Sequence, residues 1–133
     1  MALPFPVPTH RFTRQQRLTH AREFKGVFDA RLRKVRGPLT VFARANALTT
    51  PRLGLSIGRA VGPAVRRARL KRHLREAFRM VQHDLPRHGG GCYDLVVGAR
   101  AHDELALGEY QGLLIEAARA LDADHRKRVA RSG

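Results

Sequence analysis

The segment Arg59-Ala60-Val61-Gly62-Pro63-Ala64-Val65-Arg66-Arg67-Ala68-Arg69-Leu70-Lys71-Arg72-His73-Leu74-Arg75-Glu76-Ala77-Phe78-Arg79 decides how this chain is read. It holds eight Lys and Arg against a single acid, Glu76. At 100° per residue, Leu70, Leu74, Ala77, Phe78 and Val81 fall within one arc, and Arg69, Lys71, Arg72, Arg75 and Arg79 lie opposite. Gly62-Pro63 opens this helix, because the N–H that proline lacks has no partner in a first turn anyway. Glu76, four residues after Arg72, is placed to brace it. A solvated charge run has no need of an ordered apolar stripe. A helix that rests on a core and shows a polyanion a fixed basic face needs both.

On the N-terminal side, Thr19 to about Leu32 reads as a first helix with Thr19 as its N-cap. Phe24, Val27 and Phe28 make one face of it, ringed by Arg17, Arg22 and Lys25. Residues 34–38 break the pattern and read as a loop. Leu39 to Ala45 has the β-formers of a strand, and Arg52 to Ile57 alternates, with Leu53, Leu55 and Ile57 on one face. The short connection predicts that these two strands pair antiparallel. On the C-terminal side, the long helix stops before Pro86, and Gly89-Gly90-Gly91 forms a loop. Tyr93 to Ala99 is an apolar run suited to a buried central strand. A last helix spans Leu107 to Leu121. Residues 1–10 are a Pro-rich arm, 11–121 a single domain, and 122–133 a basic polar tail carrying Arg126, Lys127, Arg128 and Arg131. The order α-β-β-α-β-α predicts an α+β sandwich, helices packed on a small mixed sheet.

The chain has 133 residues, 43% of them hydrophobic, which suits one globular domain. Its net charge is +15. Residues 1–79 carry 19 Lys and Arg against three acids, whereas residues 80–133 carry seven against eight. An excess confined to one half implies a functional electropositive surface, with nucleic acid the leading partner and anionic membrane the second. Membrane binding would require large apolar residues free to insert, and the stripe here is committed to a core. No apolar run reaches the roughly 18–20 residues of a spanning helix. The start lacks a charged leader and does not read as a signal peptide. The single Cys92 excludes an internal disulfide and a cysteine zinc cluster, and a cytoplasmic protein follows. No His pair has metal-ligand spacing.

Arginine forks bind phosphate bidentately and stay charged, so the long helix offers a ridge for structured RNA. A merely solubilising face would pair its arginines with Glu at i±4, and that set is missing. Phe24 and Phe28, with Phe42 on the neighbouring strand, make an apolar floor beside Arg17 and Lys25. Spacing alone favours core packing there; the other reading is a groove in which bases stack. Asp94, Asp103 and Glu104 form no two-metal cluster, and Ser56 has no triad partners. The chain by itself is not expected to carry catalysis.

Residues 61–78 resemble the arginine-rich signature helix of the protein subunit of bacterial ribonuclease P. Arg52-Leu53-Gly54-Leu55-Ser56, Phe24-Lys25-x-Val27-Phe28 and Tyr93-Asp94-Leu95-Val96-Val97 are similar to that family's flanking segments, in the same order. The resemblance covers about residues 11–121. It implies a sandwich with a left-handed β-α-β crossover, as in the second domain of a small-subunit ribosomal protein. It implies a partnership with ribonuclease P RNA, which cleaves the 5′ leader from precursor tRNA with Mg²⁺ bound mainly by that RNA; no further protein partner is implied. Ser56, Arg59, Arg66, Arg67, Arg69, Lys71, Arg72, Arg75 and Arg79 would meet RNA, and Arg17, Phe24, Lys25, Phe28 and Phe42 would line a cleft for the leader. That reverses the preference for core packing at the phenylalanines. Ala68 and Pro63 stand where the family has Asn, and Ala60 replaces a basic residue, so Arg66 becomes a candidate substitute. The competing classes are a ribosome-type structural RNA binder and a self-sufficient nuclease.

Overall fold

Four short strands form one sheet in the computed structural model, which describes residues 11–132 and leaves the Pro-rich arm outside the described residues. They are β1 (Leu32–Arg36), β2 (Leu39–Ala45), β3 (Arg52–Ser56) and β4 (Tyr93–Ala99), in the spatial order β1-β2-β4-β3. β1 pairs antiparallel with β2, β2 antiparallel with β4, and β4 parallel with β3. Three helices complete the fold: α1 (Ala21–Asp29), α2 (Ala64–Val81) and α3 (Leu107–Ser132). One face of the sheet, built on Leu39, Val41, Ala43, Leu53, Leu95 and Val97, packs under α2 and α3. The other face carries α1 over a smaller core of Leu18, Val27 and Val96.

The expected α2 stripe is the buried one: Leu70, Leu74, Ala77, Phe78 and Val81 all face the core. β4 is central and buried along most of its length, as its apolar run predicts. Four expectations are corrected. Residues 32–36 are a strand and not the end of a helix followed by a loop. Arg31 terminates α1 in the left-handed region (φ 57°), and Gly37 (φ 54°) with Pro38 turns β1 into β2. The alternation of β1 is masked because its inward positions are Lys34 and Arg36, whose charges reach Asp124 (3.0 Å) and Glu116 (3.2 Å) on α3. β3 runs opposite to β2 but does not pair with it, since β4 lies between them. A short connection constrains direction more tightly than adjacency.

The other two corrections concern helix ends. His20, not Thr19, precedes α1, and Glu23 accepts from the main-chain N–H groups of Thr19 (3.2 Å) and His20 (3.1 Å). α3 continues through the expected tail to Ser132 because its polar residues are individually engaged. Tyr93 donates to Asp122 (2.5 Å), Arg126 pairs with Asp122 (2.9 Å), and Arg128 donates to the carbonyls of Ala30 and Arg31 at the end of α1.

A row of charge crosses the α1 face. Arg44 on β2, Asp94 on β4 and Arg52 on β3 are register neighbours. Asp94 is fully buried and accepts from Arg52 twice (2.8 Å each), from Asn46 (2.8 Å) and from Arg44 (3.2 Å). Arg52 also reaches Glu23 of α1 (3.3 Å), tying the helix start to the sheet. Burial pushes the Asp94 carboxyl up, but the hydrogen bonds from Arg52 and Asn46 and the Arg52 charge outweigh it and hold it below the usual range. The His20 amide holds Glu23 low as well.

Asp94→Ala leaves two guanidinium groups against an apolar layer, so unfolding in urea should show a loss of about 3–5 kcal/mol. Because both carboxyls are depressed in the folded state, their stabilisation is complete above the unfolded carboxylate value near 4 and is lost as pH falls through the lower folded values. Wild-type stability should therefore drop below about pH 4, and the drop should be shallower in Asp94→Asn.

Candidate nucleic-acid interface

Fixing the apolar side of α2 fixes its basic side, which divides in two. On the flank nearer β3 lie Arg67, Lys71 and Arg75, with Arg72 on the crest; among the described residues none of the four has a carboxylate partner within 4.0 Å. The Nε of Arg67 is buried without a hydrogen-bond acceptor. On the other flank the arginines are engaged. Arg66 donates to the His102 carbonyl (3.2 Å), Arg69 lies 3.8 Å from Glu104, and Arg79 grips Glu76 through two bonds (3.0 and 2.5 Å). Glu76 thus braces Arg79, not Arg72. The Arg79 guanidinium holds the Glu76 carboxyl below its ordinary value. Ser56 and Arg59, both exposed, sit on the path from β3 into α2, and Ala68 is an exposed methyl amid the arginines.

On the opposite face, α1 crosses the strands. Phe24 covers Gly54, where a Cβ would come within 2.8 Å of its ring; Gly26 makes room for the Arg44 guanidinium; Phe28 meets Phe42 edge-on at 4.8 Å. The helix covers only part of the face. Thr40, Gly98 and Ser56, register neighbours across β2, β4 and β3, stay partly open or exposed beside it. The result is a groove with α1 as its wall. Phe24 and Phe42 are half-buried and support the small core, whereas Phe28 is 38% exposed. The two readings of the phenylalanines therefore divide by residue. Lys25 is on the exposed side of α1 and pairs with Asp29 (2.6 Å). Arg17 is at the outer edge of β3 with its guanidinium 5.0 Å above the Phe12 ring.

A sequence profile described as Ribonuclease P matches residues 12–123. The chain belongs to the Ribonuclease P family. It is 46% identical over 91 residues to the ribonuclease P protein component of Pseudomonas putida GB-1, a match spanning 67% of this chain and 64% of that protein. With the component from Methylococcus capsulatus it shares 43% identity over 101 residues, 75% of each chain. The match thus spans slightly less than two thirds of the Pseudomonas protein's length. Its fold is similar to the solved RNase P protein from Thermotoga maritima (27% identity, TM-score 0.67, covering 78% of this chain and 96% of that one). The Staphylococcus aureus RNase P protein, at 21% identity, shares the fold (TM-score 0.65, 79% of this chain and 94% of that one).

In this family member the structure sets Phe28 at the surface against Phe42, turns Phe24 onto Gly54 and the small core, and puts Arg67, Lys71, Arg72 and Arg75 on one ridge. It sets Lys25, Arg17, Arg66, Arg69 and Arg79 in other company. Sequence reasoning missed Arg44, although alternation on β2 puts it on the same side as Phe42. It also missed Phe12, which packs edge-on against Phe78 at 5.3 Å.

Counterion release ties salt dependence to the number of phosphate contacts. Arg72→Ala and Arg75→Ala should each reduce the slope of log K against log salt for RNA binding by about one unit. Glu76→Gln, which releases Arg79, should steepen it.

Proposed function

We propose that this chain is the protein subunit of ribonuclease P. It binds the catalytic RNA through the exposed ridge of α2 together with Ser56 and Arg59, and it holds the 5′ leader of precursor tRNA in the groove beside α1. The observation that carries this reading is the pairing of two unlike surfaces on one small domain. One is an arginine ridge without neutralising acids, suited to the dense phosphates of folded RNA. The other is an aromatic groove, suited to unpaired bases. Family membership supports the same assignment.

Cleavage of the leader to give the mature tRNA 5′ end falls to the RNA subunit. Among the described residues no three carboxylate, imidazole or thiolate groups converge on a point where a metal ion could sit. The Mg²⁺ of the reaction is assigned to RNA oxygens, and no step is routed through an ion on this chain. The protein contributes affinity and position. Phosphates neutralised by Arg67, Lys71, Arg72 and Arg75 lower the repulsion between catalytic RNA and substrate, and Phe28 with Phe42 fixes the leader strand by stacking. Among the described residues no helix is long and apolar enough to cross a membrane. A cytoplasmic ribonucleoprotein is the setting this function requires.

Reconstitution with a bacterial ribonuclease P RNA at low Mg²⁺ tests the assignment. Cleavage should be absent with protein alone and should appear when both subunits are present. Substrate affinity should rise with leader length. Equal affinity for mature and leader-bearing tRNA would remove the groove from the account. Phe28→Ala should weaken binding of leader-bearing substrate by about 1–3 kcal/mol while barely lowering Tm, because the ring is already partly in solvent. Val27→Ala, fully buried beneath it, should lower Tm by several degrees.

A further inference from the structure

The last turns of α3 run past residue 123, where the family match stops, to Ser132. They are pinned to the domain at several points. Asp124 pairs with Lys34 of β1 (3.0 Å), Arg126 donates to the Arg87 carbonyl (2.8 Å), and Arg128 donates to the carbonyls of Ala30 and Arg31. A basic stretch that would be a solvated tail by itself is therefore a fixed part of the surface. Its free cations also have a fixed direction. At 3.6 residues per turn, Lys127 and Arg131 fall in the sector bounded by Glu116 and Asp124, the two acids of α3 that reach β1.

The start of β1 brings its own cations to the same place. Arg128 holds the Arg31 carbonyl, and Arg33 stands on the outward face of the edge strand opposite Phe42. Arg31, Arg33, Lys127 and Arg131 are all exposed. Among the described residues none of the four has a carboxylate within 4.0 Å, because the neighbouring acids are taken. Asp29 pairs with Lys25, Asp122 with Arg126, Asp124 with Lys34 and Glu116 with Arg36. A helix C-terminus favours cations in its last turns, and a charge on an edge strand blunts it. Neither device requires the two sets to converge with no acid between them.

The patch is built to meet phosphates and not bases. Among the described residues none of its four cations lies over an aromatic ring, and the large apolar side chains exposed beside it are Val35 and Val129. Two valines are too little to enter a bilayer. The patch lies at the β1 edge, whereas the α2 ridge flanks β3, three strand spacings or about 14 Å across the sheet. A ligand that meets both surfaces must be large, folded and dense in phosphate.

We propose that this patch binds a double-helical stem of the ribonuclease P RNA, as a second anchor at the sheet edge opposite the α2 ridge. The proposal rests on the reading of that ridge as the first anchor. One ridge leaves the domain free to roll about the axis of α2. A second contact across the sheet stops the roll and holds the α1 groove in one direction.

The test assembles the full chain with a bacterial ribonuclease P RNA over a range of salt and maps RNA backbone protection from hydroxyl radicals. In Arg33→Gln/Lys127→Gln/Arg131→Gln the slope of log K against log salt should fall by about two to three units, and assembly should weaken about tenfold. One helical segment should lose protection that it keeps in Arg72→Ala. Tm should stay near that of wild type, since all three side chains are exposed; where it falls, Lys127→Gln/Arg131→Gln provides the reading. An unchanged slope in the triple variant, with the slope still reduced in Arg72→Ala, overturns the second anchor and leaves the ridge standing. Unchanged slopes in both overturn the ridge reading as well. A reduced slope without local loss of protection marks diffuse charge and overturns the proposal. Full protection with weaker binding of precursor tRNA to the holoenzyme assigns the patch to substrate and also overturns it.

Discussion

A carboxylate with no exposed surface, gripped by two arginines from neighbouring strands, is the constraint on which this molecule turns. Asp94 lies near the start of the central strand, on the face that α1 crosses. Such a group is tolerable only when each of its lone pairs is answered, and Arg52, Asn46 and Arg44 answer them. The arrangement costs desolvation and gives registry in return. Arg52 is also held by Glu23, so the start of α1 is located relative to the strands, and Gly26 lets the Arg44 guanidinium lie against the helix. The orientation of the aromatic wall over the sheet follows from electrostatics more than from greasy contact. The core beneath α1 is small.

The consequence for function is a division between two faces of one sheet. The larger core beneath α2 and α3 makes a rigid base for a row of cations. The smaller core beneath α1 leaves room for an aromatic ring at the surface. On the second face α1 is only nine residues long, and the part of the sheet that it leaves uncovered becomes the groove. Charge follows the same division. The acids of the C-terminal half are spent on structural pairings such as Lys34 with Asp124 and Arg36 with Glu116, which leaves the α2 ridge unneutralised.

Much of this was legible from residue order. The period of Leu70, Leu74, Ala77, Phe78 and Val81 located α2 and its buried side, and the run from Tyr93 to Ala99, apolar but for Asp94, located the central strand. β1 escaped because Lys34 and Arg36 occupy inward positions with their charges paired across to α3, so polarity no longer reported exposure. The end of α3 escaped for the same reason: Asp122, Arg126 and Arg128 look like a solvated tail until their partners are known. Which arginines of α2 are engaged was also hidden. Helical spacing offered Glu76 both Arg72 and Arg79, and only three-dimensional packing shows the choice. Asp94 gave no local sign, since the residues that satisfy it lie more than 40 positions away.

The guanidinium of Arg128, which takes the carbonyls just beyond the end of α1, lies 98 residues further along the chain than Ala30. Synthesis at about 5–20 residues per second separates the two by roughly 5–20 s. Throughout that interval α1 and the first hairpin exist without the side chain that finishes the helix, and their terminal carbonyls are left to water. The aromatic wall is therefore among the first parts made and among the last to become fixed. On a nascent chain the basic segment of α2 is likewise made before the final clamp.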